Sequence, residues 1–130
     1  VIIRAYLNDD RLDDNLRNYL IASTRMTYAL YGVADISVHA GGWGEAEVTD
    51  LCTTYFGEAG GSSYGSSVYQ MVLKNPGKYA AAAIDYLQIT ELESTMVANQ
   101  GENYSEANLL DLLFNQGPAN FRVLRSWIGL

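Results

Sequence analysis

The sequence is poor in the residues that staple, break or metallate a fold. It has one cysteine, one histidine and two prolines in 130 residues. The single cysteine, Cys52, excludes an internal disulfide and leaves the redox compartment open. The single histidine, His39, excludes every metal site built on two histidines within these residues. Basic residues are few, 8 lysines and arginines against 15 aspartates and glutamates, for a net charge of −7 and a pI near 4.4. Such a chain lacks the electrostatic footprint of a nucleic-acid binder and is repelled by an anionic membrane. No apolar run approaches the roughly 18 residues of a membrane helix, so no span is expected. The first residue is Val1, with no Met and no basic-then-apolar leader, which implies that any targeting segment is absent or already removed.

What is present is a globular composition, 48% hydrophobic and 18% charged, at a length that suits one domain. A chain of this size buries about two thirds of its unfolded surface and supports a core without staples. The dominant period is helical. Asn8, Asp9 and Asp10 are cap candidates before Leu12, Leu16, Tyr19 and Leu20. The pattern runs on through Met26, Leu30 and Val33, which predicts one long helix from about residue 10 to 40, ended by Gly41-Gly42. Val48, Leu51, Cys52, Tyr55 and Phe56 predict a second helix, closed by Gly57. The Gly/Ser-rich stretch 60–67 reads as a loop, followed by a short helix carrying Val68, Met71 and Val72. Pro76 opens a long central helix that runs to about Asn99. Its four alanines, Ala80 to Ala83, let a neighbouring helix approach closely. A nearly all-apolar helix follows Ser105 and should be buried on more than one side, and a short amphipathic helix carries Phe121, Leu124 and Ile128. No alternating run predicts a strand. The expected fold is all-α: an irregular bundle of about five to six helices in one domain, residues 1–130.

Two patterns bear on chemistry. Gly61-Ser62-Ser63-Tyr64-Gly65 matches G-x-S-x-G, the nucleophile elbow, but the elbow needs a strand before it and here a helix precedes. The stretch therefore reads as a flexible connector, and without a following lysine it is a poor phosphate loop as well. Asp35 and His39, four apart on a helix, share one face. The carboxylate could orient the imidazole for acid–base or oxyanion work; the plainer alternative is a histidine favoured by the helix C-terminus. Ten tyrosines against three phenylalanines suggest either hydroxyls lining a wet cleft or tyrosines rimming the core.

In order, the chain carries Asp35-Ile36-Ser37-Val38-His39-Ala40-Gly41-Gly42-Trp43, similar to D-x-x-x-H-x-x-G-W, then Asn75-Pro76-Gly77-Lys78-Tyr79, then Tyr86-Leu87-Gln88-Ile89 with Leu92, then Asn115-Gln116-Gly117-Pro118-Ala119. This order resembles the C-terminal part of the bacterial domain of unknown function 885 family, from about Leu20 to Trp127. The resemblance implies a zinc-metallopeptidase-like parent whose two zinc histidines and general-base glutamate lie upstream, in H-E-x-x-H, with a further glutamate ligand. None of these is in this chain, so it would be the C-terminal portion of a longer protein, inactive alone and without a metal site of its own. In the parent, zinc-activated water would attack a peptide carbonyl. His39 would stabilise the oxyanion or contact substrate, oriented by Asp35, and Trp43, Tyr79 and Tyr86 would line the substrate side. The partner would be the N-terminal part of the parent, a second copy of the chain, or a peptide. The resemblance points to an extracytoplasmic bacterial setting. Relatives carry a tyrosine and a glycine where this chain has Ala82 and Asp85, which removes one candidate transition-state donor. The alternative reading is a helical protein- or peptide-interaction module without catalysis.

Overall fold

A computed structural model describes residues 12–115 and 120–128. Among them there are five α-helices and no strand: α1 (Asp14–Gly41), α2 (Glu45–Lys74), α3 (Lys78–Gln100), α4 (Glu106–Asn115) and α5 (Phe121–Trp127), with one 3₁₀ turn at Gly101–Asn103. The fold is all-α, and the helix count lies within the expected five to six. Asn8, Asp9 and Asp10, the proposed caps, lie outside the described residues, as do Gln116, Gly117, Pro118 and Ala119 of the last motif piece. The observed cap of α1 is Asp13, whose Oδ1 accepts the Leu16 N–H at 2.8 Å. At the far end Gly42 takes φ +70°, and the Trp43 N–H returns to the Ser37 carbonyl at 3.0 Å. The Glu47 carboxylate accepts the Gly44 N–H at 2.9 Å and so closes the start of α2.

The 60–67 stretch is helix, not loop. A single residue, Gly57, leaves helical geometry inside α2, at φ 74° and ψ 168°. There the chain reverses, and the arm 58–74 returns along the arm 45–56. Two glycines one turn apart make this possible. A Cβ at Gly65 would stand 2.5 Å from Thr49 Cα, and one at Gly61 would stand 2.6 Å from the Thr53 backbone nitrogen. Glycine and serine weaken a helix in isolation, but here close antiparallel packing holds it. The Gly61-x-x-x-Gly65 spacing belongs to this contact and not to a nucleophile elbow.

The described residues cluster into two compact units, 22–86 and, separately, 12–21 with 87–115 and 120–128. In the 22–86 unit the core is Leu30, Ala34, Val48, Cys52, Val68 and Val72, with Tyr31, Trp43, Tyr64 and Tyr79 packed against it. Gly32 faces Ala83 so closely that a Cβ on Gly32 would overlap the Ala83 methyl group, which is the close approach the alanine run allows. In the second unit Leu92, Met96, Leu109 and Leu124 form a separate core, bordered by Tyr104, Leu112, Leu113 and Phe121. An ion pair between Glu91 and Arg125 ties α3 to α5 there. The expectation that α4 is buried on several sides fails at Phe114, which is 66% exposed. Only Leu109 of that helix is fully buried, because one face alone meets the core.

Candidate functional site

The 22–86 unit joins two of the sequence pieces that the resemblance rests on. Asp35 is 1% exposed, the one buried charged residue among those described. Its Oδ1 accepts the Gly77 N–H at 3.0 Å, and its Oδ2 accepts the N–H groups of Tyr79 and Ala80, each at 2.9 Å. These donors belong to the start of α3, where the first N–H groups have no partner within the helix. A carboxylate from α1 therefore caps α3 in trans, and the positive end of the α3 dipole favours its charge. The donors are presented by a tight turn. Pro76 and Gly77 are its central residues, Gly77 sits at φ +76°, and the Lys78 N–H bonds back to the Asn75 carbonyl at 3.2 Å. That is a type II turn, which requires a positive φ at its third residue.

One turn further along α1, His39 Nε2 lies 3.0 Å from the Val72 carbonyl, near the end of α2. Asp35 Oδ1 stands 3.5 Å from the same nitrogen. A pair four residues apart on α1 thus grips both sides of the α2–α3 junction. Trp43 is half-buried against the core of this unit. Tyr79 stacks on Tyr31 with ring centroids 5.2 Å apart. Tyr86 stacks instead on Tyr28, at 6.0 Å and 4°. The structure brings Asp35, His39 and the Tyr79 backbone together. Tyr86 is two helical turns further along α3.

Tyr31, Tyr64, Tyr69 and Tyr79 border the core of this unit, whereas Tyr19 and Tyr55 are exposed. The Tyr31 and Tyr64 hydroxyls share a hydrogen bond at 3.2 Å, and the two rings meet edge to face. Burial, then the hydrogen bond to Tyr64, push the Tyr31 phenol above its ordinary range. Burial likewise pushes the Cys52 thiol up, which leaves it a poor nucleophile.

Elsewhere in this unit there is an open groove of about 630 Å³ lined by Ser23, Thr27, Phe56, Gly60, Ser63, Tyr64 and Ser67. It holds no acid–base pair. The Ser63 hydroxyl donates to the Gly60 carbonyl at 3.5 Å and has no histidine beside it. Among the described residues no three His, Cys, Asp or Glu side chains group to hold a metal ion.

Reasoning from the sequence found Asp35 and His39 but missed their partners, the Val72 carbonyl and the N–H groups of Gly77, Tyr79 and Ala80. Backbone groups leave no side-chain signature. The one available signal was a glycine after proline at the head of a helix. Neither a family model, nor a curated protein, nor a solved structure matches the chain.

Proposed function

We propose that this chain, as a single all-helical domain, is the C-terminal portion of a zinc-dependent peptidase of the kind it resembles, that it forms one wall of the substrate cleft, and that it has no activity alone. The observation that carries the reading is the joining of Asp35 and His39 to the Asn75-Pro76-Gly77 turn, since two motifs far apart in sequence make one hydrogen-bonded cluster. A bare apolar stripe adds support. Met26, Ala29, Val33 and Ile36 recur at helical spacing on α1, with Val33 46%, Ile36 51% and nearby Tyr55 60% exposed. Such a face suits cover by the rest of a larger protein. Zinc and its ligands would come from the upstream part, and the setting would be extracytoplasmic.

A second reading is a helical interaction module without catalysis. The observation that favours it is His39 itself, whose Nε2 is engaged by backbone. The coding sequence upstream of Val1 separates the two. An H-E-x-x-H helix followed by a glutamate ligand there, with zinc content and peptide hydrolysis in the extended protein, supports the peptidase. An upstream region without those ligands ends it and leaves the binding role.

A further inference from the structure

The geometry fixes which nitrogen of His39 can meet a ligand. A carbonyl oxygen only accepts hydrogen bonds, so Nε2 at 3.0 Å from the Val72 carbonyl must carry the proton. Its other neighbour, Asp35 Oδ1 at 3.5 Å, is also an acceptor. Both neighbours demand the same tautomer. Among the described residues, Asp35 is the charged group within 4 Å of the ring nitrogen, and it is itself held by three backbone N–H groups, so it cannot swing away to release Nε2. Val72 is buried in the core, and its carbonyl also accepts the Asn75 N–H at 3.0 Å, so it is fixed too. Nδ1 has no hydrogen-bond partner among the described residues, on a side chain that remains 30% exposed.

We infer that neutral His39 is locked as the Nε2–H tautomer by the Val72 carbonyl and presents Nδ1 as a hydrogen-bond acceptor, so that the group it takes is a donor, the N–H of a bound peptide, and not an oxyanion. A neutral imidazole has one donor and one acceptor nitrogen. With the donor turned inward, only the acceptor is left for a ligand. Stabilising an oxyanion would need a second proton on Nδ1. Asp35 is then a positioning residue, and the ring nitrogen that touches the ligand is fixed by backbone on a different helix. The choice of a peptide as ligand rests on the proposed function; the tautomer rests on this chain alone.

The test uses the unaltered chain labelled with nitrogen-15. His39 is its only histidine, so a long-range proton–nitrogen correlation spectrum contains one imidazole. At alkaline pH, where the ring is neutral, Nε2 should give a pyrrole-like and Nδ1 a pyridine-like shift. An Nδ1–H pattern, or an average of the two forms, overturns the tautomer. N-acetylalanine methylamide is then titrated in as a neutral peptide N–H, with acetate at matched ionic strength as the oxyanion. A saturable upfield movement of Nδ1 with the amide and none with acetate is the expected result. Movement with acetate, or none with the amide, overturns the ligand assignment. Failure of the peptidase reading would appear in the upstream coding sequence and would leave the tautomer pattern unchanged.

Discussion

The Asp35 carboxylate lies 2.9 Å from the Ala80 backbone nitrogen, 45 residues away, so a side chain of one helix begins another. Replacing Asp35 with alanine leaves three backbone donors at the start of α3 without their acceptor at once. Hydrogen bonds to charged groups are worth about 1.5–3 kcal/mol each and are not additive, so the expected loss is about 3–5 kcal/mol. That is a large part of the stability of a small domain. Asp35→Asn keeps one acceptor oxygen and should lose less. Urea unfolding followed by circular dichroism gives the ranking wild type, Asn, Ala. An alanine variant within 1 kcal/mol of wild type would show that the trans cap is incidental.

The hairpin of α2 separates two kinds of glycine. At Gly65 a methyl group would press on the Thr49 backbone, which has no rotamer to yield, whereas at Gly60 the nearest atom would be Phe56 Cβ at 3.8 Å. Gly65→Ala should destabilise by about 1–3 kcal/mol or more through overpacking. Gly60→Ala should stabilise by about 0.4–1 kcal/mol, because alanine restricts the unfolded chain and fits the helix. Opposite signs of the midpoint shift in urea are the measurement. The same sign for both would mean that the two arms are not in contact at Gly65.

These glycines also mark where reading the sequence stopped. Apolar periodicity located the helices and the core positions Leu30, Val48, Cys52, Val68, Val72 and Leu92, because burial of one face repeats every 3.6 residues. It failed over 60–67, where local composition says loop and tertiary packing says helix. A small residue at each of two positions one turn apart was the legible sign, and a degenerate catalytic pattern obscured it. Asp35 and His39 were legible as a pair sharing a helix face. That Asp35 caps α3 was not, since its acceptors and donors are separated by more than forty residues and the donors are main chain. Tyr86 was grouped with Tyr79 by sequence order, but seven residues along a helix carry it two turns away.

Tyr31 predicts a specific alkaline sensitivity. Its phenol is shifted upward from an ordinary value of 10.0 by burial and by the bond with Tyr64. Below pH 10 the folded and unfolded chains both hold the proton, and the contribution is fully present and flat. Above pH 10 the unfolded chain releases the proton first while the folded chain keeps it, so stability falls as pH rises toward the folded value. Tyr31→Phe removes this slope. It also loses one hydroxyl bond, worth about 0.5–1.5 kcal/mol at neutral pH. Unfolding free energies at pH 8 and above pH 10 should therefore converge for the two proteins as pH rises. Parallel curves would show that Tyr31 ionises normally.

Cys52 supplies an internal gauge of the core of the 22–86 unit. The thiol is fully buried, and burial raises its pKa, so both access and thiolate content are low in the native chain. Only the thiolate attacks a disulfide reagent, hence labelling has to wait for an opening of the packed helices. An opening free energy of about 3 kcal/mol already slows the reaction about a hundredfold relative to the unfolded chain. Labelling at pH 8 should be at least that slow without denaturant and should accelerate along the urea transition. The same slowing should persist in Gly60→Ala and shrink in Asp35→Asn, because the trans cap joins helices that cover this core. Rapid labelling of the wild type in buffer would mean that Cys52 reaches solvent through local motion, and the account of a close-packed core around it would be wrong.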